Sequence, residues 1–72
     1  MLQQKLGQRI ASLRKARKLT QEQLAEATGY SVEFVSLVER GVNAPSVAGL
    51  EKFAKVFKAE VKELFNFENK KR

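Results

Sequence analysis

The chain contains no cysteine and no histidine. That excludes disulfide staples, thiolate nucleophiles, zinc sites built from the usual ligands, and the commonest general base. It also lacks any apolar run approaching the roughly 20 residues of a bilayer span, so no membrane segment is expected. Acidic residues are scarce beside basic ones, eight Asp and Glu against fourteen Lys and Arg, for a formal charge of +6 and a pI near 10.0. An anionic partner is favoured, although charge alone does not name it. The residues after Met1 show neither an apolar stretch nor a small-residue cleavage site, so the expectation is a cytoplasmic protein without a secretory signal. At 72 residues and 43% hydrophobic content, the chain can build one core and not two.

What is present is helical periodicity. Leu2, Leu6, Ile10 and Leu13 recur every three or four residues among polar neighbours and predict a first helix ending near Arg17 and Lys18. Thr20 is an N-cap with Gln23 at the capping-box position, and Leu19 and Leu24 form a hydrophobic staple, so a second helix begins here. Thr28-Gly29 ends it within about two turns. Ser31 caps a third helix, with Glu33 in its first turn and Tyr30 and Val35 as a second staple, running to about Arg40. Gly41 to Pro45 reads as a loop. Ser46 caps a fourth helix whose apolar face is Val47, Leu50, Ala54 and Phe57, and Val61, Leu64 and Phe65 predict a brief fifth. The expected fold is all-α, a compact five-helix bundle over residues 1–67, followed by a polar tail over 68–72.

Two capped helices joined by a short turn containing Gly29 form a helix-turn-helix, with the second helix expected to protrude. Thr20-Gln21-Glu22-Gln23-Leu24-Ala25, Gly29, Ser31, Val35-Ser36, Val38-Glu39-Arg40-Gly41, Asn43, Pro45-Ser46, Leu50 and Ala54 together resemble the Cro and repressor-type (lambda repressor-like) helix-turn-helix family. The resemblance spans Leu6 to Phe65. The short length and the segment from Val38 to Ser46 look like the controller proteins of restriction-modification systems.

The resemblance implies roles. Val32, Glu33, Ser36 and Leu37 stand where relatives meet base edges in the major groove of double-stranded DNA. Glu33 could accept from cytosine N4 or merely complement the helix dipole; Leu37 could meet a thymine methyl or pack on the bundle. Gln21, Arg40 and Asn43 match phosphate-gripping positions, with Ser46 weaker and Lys18 and Phe34 as flanking contacts. For Arg40 the plainer alternative is a solvated surface charge. Residues matching Arg14 and Glu39 pair within the fold in relatives, so a partly buried salt bridge is expected. Lys58 replaces the family's usual helix-ending Gly, and Glu60 replaces a good N-cap.

The C-terminal third carries Phe53, Val56, Phe57, Val61, Leu64, Phe65 and Phe67, more apolar area than one small core hides. A homodimer through Val61, Phe65 and Phe67 is therefore expected, reading a palindrome. The leading reading is a sequence-specific transcriptional regulator without cofactor, metal or small-molecule ligand. The alternative is an antitoxin-like or protein-interaction module on the same fold. No paired carboxylates, nucleophile-base arrangement or Gly-rich phosphate loop suggests an enzyme.

Overall fold

A computed structural model describes residues 1–67; the predicted polar tail, 68–72, lies outside the described residues. Four α-helices follow one another: α1 (Leu2–Ala16), α2 (Gln21–Thr28), α3 (Val32–Glu39) and α4 (Val47–Phe57). A 3₁₀ helix, Val61–Phe65, comes last.

The boundaries follow from local chemistry. Thr20 Oγ1 accepts from the Gln23 amide at 3.0 Å and Gln23 Oε1 accepts from the Thr20 amide at 2.9 Å, which completes a capping box. Gly29 ends α2 in the left-handed region at φ 83, where a Cβ is penalised. Ser31 Oγ accepts from the Phe34 amide at 3.0 Å and starts α3 only two residues later. Ser46 Oγ does the same for the Gly49 amide at 3.1 Å, starting α4.

Packing supplies what eight-residue helices cannot supply alone, since isolated helices of that length are marginal in water. Leu6, Ile10, Leu24, Val35, Val38, Phe53, Phe57 and Leu64 are buried together in one core. Helix α1 crosses α3 closely because Gly7 has no side chain: a Cβ there would collide with the Val38 carbonyl oxygen and lie 2.8 Å from that of Glu39.

Three expectations need correction. The fifth element is a 3₁₀ helix, so the architecture is four α-helices and a 3₁₀ segment. Glu60 supplies no side-chain cap and Leu64 is the one buried residue of that segment, too little to sustain a regular α-helix; short 3₁₀ stretches are the usual outcome. Val47 is 75% exposed and Leu2 62% exposed. Both sit in the first turn of their helices, beyond the edge of the core, and the buried face of α4 is made by Gly49, Phe53, Ala54 and Phe57.

The backbone also departs from the easy path at two lysines. Lys18 has φ 59 and Lys58 φ 55, and they are the non-glycine residues of positive φ among those described. Each placement costs roughly 1 kcal/mol for a residue with a Cβ.

Candidate nucleic-acid interface

The outer side of α3 is open. Val35 and Val38 point into the core, so by helical geometry the intervening positions face away from it. Val32, Glu33, Ser36 and Leu37 lie along that side, and with Gln21 and Arg40 they line one depression of about 510 Å³. Val32 and Glu33 are exposed; Ser36 and Leu37 are half-buried. Four residues predicted to meet base edges and two predicted to meet phosphate therefore share one surface.

The amino end of α3 is held by aromatic packing behind it. The Tyr30 ring lies 4.6 Å from that of Phe34 and 5.7 Å from that of Phe53, which joins the turn to α4. Phe34 was expected to flank a phosphate. It is instead half-buried against the core with its ring on Tyr30, because its position on α3 turns it inward, away from the exposed side.

The carboxyl end of α3 is held by charge. Arg14 Nε donates to Glu39 Oε2 at 2.7 Å and Arg14 Nη2 to Glu39 Oε1 at 3.1 Å, a two-pronged pair with side chains 12% and 6% exposed. Arg14 Nη1 also donates to the Leu19 carbonyl at 2.8 Å. Glu39 Oε1 accepts further from Gln21 Nε2 at 3.0 Å. One carboxylate thus ties together the end of α1, the start of α2 and the end of α3.

That bond changes what Gln21 offers. Its side-chain amide is engaged inside the fold and the Gln23 amide is taken by Thr20 Oγ1, leaving the Gln21 and Glu22 N–H groups, which have no intrahelical partner at a helix start, as the donors there. Arg40 is exposed and ends α3. The Asn43 amide donates to the Leu37 carbonyl at 3.3 Å, and the residue is half-buried. Ser46 is exposed, with its hydroxyl serving as the cap of α4. Lys18 is exposed between α1 and α2.

Residues of the predicted dimer surface divide. Phe65 is 37% exposed, with its ring 6.2 Å from that of the half-buried Phe67 in an edge-on contact. Val61 is packed against the core. Phe53, Phe57 and Leu64 are fully buried within the protomer.

Sequence reasoning passed over several contacts. Arg17 lays its guanidinium on the Phe57 carbonyl oxygen, with Nε at 3.0 Å and Nη2 also in contact. Gln3 Nε2 donates to the Gly41 carbonyl at 2.9 Å, and Arg9 Nε to the Glu63 carbonyl at 2.9 Å. These join residues 38 to 54 positions apart, and no local pattern signals them. Among the described residues no helix is long and apolar enough to cross a membrane.

Comparison with known proteins gives a consistent set of likenesses. The helix-turn-helix family profile HTH_3 matches residues 10–64. The chain is 47% identical over 49 residues to the immunity repressor protein of Bacillus phage phi105, covering 68% of this chain and 34% of that repressor, so it spans about a third of the repressor's length. It is 40% identical over 58 residues to the HTH-type transcriptional regulator YazB of Bacillus subtilis (strain 168), covering 81% and 84% of the two chains. Among solved structures, the restriction-modification controller protein C.AhdI from Aeromonas hydrophila superposes with a TM-score of 0.83 at 40% identity, covering 86% of this chain and 94% of that one. The clp gene regulator ClgR from Corynebacterium glutamicum gives 0.86 at 28% identity, with 93% and 87% covered.

Proposed function

The chain belongs to the Cro and repressor-type helix-turn-helix family, and from that membership we propose that it is a sequence-specific DNA-binding transcriptional regulator of the short, controller-like kind. Helix α3 enters the major groove, with Val32, Glu33, Ser36 and Leu37 toward the base edges. The Gln21 and Glu22 N–H groups at the start of α2, Arg40, Asn43 and the flanking Lys18 hold the sugar-phosphate edge. The observation that carries this reading is the open depression that Val32, Glu33, Ser36 and Leu37 share with Gln21 and Arg40.

The chemistry of those side chains sets what can be read. Val32 and Leu37 offer apolar contact, suited to thymine methyl groups, and Glu33 offers an acceptor for cytosine N4. None makes the bidentate contact to guanine that arginine provides, so a single protomer discriminates weakly. A homodimer placing two α3 helices about 34 Å apart, one duplex turn, multiplies that discrimination on a palindrome. The exposed Phe65 edge beside Phe67 supports that surface; Val61, packed inward, contributes at its margin.

Selection of bound sequences from a random duplex pool tests the proposal. The expected product is a palindrome whose half-site centres lie about one turn apart. A pool that shows no enrichment refutes sequence-specific binding. The apolar character of Val32 and Leu37 on an open surface favours, as a second reading, a protein partner on the same face. A partner that co-purifies at fixed stoichiometry while no duplex is selected supports that reading.

A further inference from the structure

Charge is distributed against the task proposed for the recognition unit. From Leu19 to Glu39, which includes α2 and α3, there is no Lys or Arg, and Glu22, Glu26, Glu33 and Glu39 make the segment anionic. Duplex DNA carries about one negative charge per 1.7 Å of axis, so the attraction must come from outside this segment. Residues 1–18 hold Lys5, Arg9, Arg14, Lys15, Arg17 and Lys18 with no acid.

Part of that charge is used internally. Arg14 is paired with Glu39, and Arg9 is bound to Glu63 by its carbonyl and, at 3.8 Å, its carboxylate. Arg17 instead bridges to the Phe57 carbonyl and so joins the carboxyl end of α1 to that of α4. Lys18 directly follows Arg17 and Lys58 directly follows Phe57, which brings both lysines to one end of the molecule. Both are exposed, and neither forms an ion pair among the described residues. Glu60, the acid nearest Lys58 in the chain, sits 3.9 Å from Lys62 Nζ.

A separate observation marks the same two residues. Lys18 and Lys58 are the described non-glycine residues in the left-handed region, at φ 59 and φ 55. Glycine would end either helix without strain, as Gly29 ends α2. Backbone strain kept at two positions, both lysine and both at one end, points to a use for their side chains.

Resting on the DNA-binding reading, we propose that Lys18 and Lys58, held together through Arg17, form a phosphate clamp that grips the duplex flank beyond the base pairs read by α3. Lys18 lies two residues before Thr20, the cap of α2, and so extends the phosphate-facing edge outward, toward Lys58 across the Arg17 bridge. Lys15 and Lys55, in the last turns of α1 and α4, widen the positive field. Arg17 is a positioning residue.

Lys18→Gly and Lys58→Gly, singly and together, test the clamp, because glycine fits both backbone conformations and keeps the fold. The probe is the selected operator duplex, once with about ten flanking base pairs per side, roughly one helical turn, and once trimmed to the pairs under α3. On the long duplex each substitution should remove about 0.9 from the slope of log K against log salt. For the pair this is about a 60-fold loss at 0.1 M salt, taking 1 M as the point where ionic attraction vanishes. On the trimmed duplex wild type and double variant should bind alike, and the free double variant should melt no lower than wild type, since glycine relieves the positive-φ strain at both positions. If the lysines only complement the negative carboxyl ends of their helices, the variants melt lower with an unchanged slope, and the clamp is overturned. A wild type that binds no duplex overturns the DNA-binding reading and the clamp with it. A wild type that binds, with variants of undiminished slope on the long duplex, overturns the clamp alone.

Discussion

Replacing Glu39 by alanine withdraws the acceptor of three N–H donors at once: Arg14 Nε, Arg14 Nη2 and Gln21 Nε2, at 2.7, 3.1 and 3.0 Å. With the Arg14 side chain 12% exposed, the orphaned guanidinium cannot regain its water without moving α1 or α3. Breaking one side of a buried pair costs about 3 to 5 kcal/mol. Because Arg14 keeps the Leu19 carbonyl at 2.8 Å, the lower figure, about 3 kcal/mol, applies. At roughly 4 °C or more per kcal/mol for a domain of this size, the melting midpoint should fall by at least about 12 °C. Arg14→Met with Glu39→Leu removes both charges and fills the space with apolar atoms, an exchange that is often neutral or stabilising. The double variant should therefore melt above the Glu39→Ala protein, and a double-mutant cycle should show strong coupling. Thermal and urea unfolding followed by far-ultraviolet circular dichroism measure both. A Glu39→Ala protein melting within about 2 °C of wild type, or a cycle that sums without coupling, refutes the assigned energetics.

Gly7→Ala should destabilise by about 1 to 3 kcal/mol, since the new methyl meets the backbone oxygens of Val38 and Glu39; Gly29→Ala, whose Cβ meets open space, should lose only about 1 kcal/mol from its positive φ. Equal melting of the two variants would count against the close α1–α3 approach. Arg40→Ala should weaken binding to all duplexes and flatten the salt slope by about 0.9, whereas Glu33→Gln should leave the slope and change the preferred base; competition binding with single-base variants of the operator separates them. Phe65→Ser with Phe67→Ser should shift sedimentation equilibrium toward monomer while melting changes little, and unaltered association would remove those rings from the dimer surface.

What could be read in the sequence was set by the range of the forces involved. Thr20, Gln23, Ser31 and Ser46 act on amides three residues away, so the starts of α2, α3 and α4 follow from neighbours in the chain. The buried positions Leu6, Ile10, Ala54 and Phe57 follow from periodicity, and Leu24 and Val35 from the staples they complete, for the same reason. Errors lie where a local pattern meets a boundary it does not encode. Leu2 and Val47 keep the period of their helices yet stand one turn past the edge of the core, and Phe34, expected beside a phosphate, packs its ring on Tyr30. Gln21 was judged by its position at a helix start, but its amide had a partner 18 residues away in Glu39. The anionic character of residues 19–39 could have been counted directly; its meaning depended on Arg17 joining two helix ends that are 40 residues apart.

The recognition helix itself shows why the fold separates stability from reading. Eight residues make too short a helix to persist alone, so α3 must be held from outside its own backbone. Ser31 and the Tyr30–Phe34 contact hold its amino end, Val35 and Val38 hold its inner face, and Arg14 holds its carboxyl end through Glu39. None of these anchors uses the side chains of Val32, Glu33 or Leu37. Substitutions at those three positions can therefore alter what is bound while leaving the helix in place, so their effect on melting should stay near that of ordinary surface changes, within about 0.5 kcal/mol. Unfolding measured on the same variants used for operator selection checks this, and a drop of several kcal/mol at Glu33 or Val32 would mean that the reading face also supports the fold.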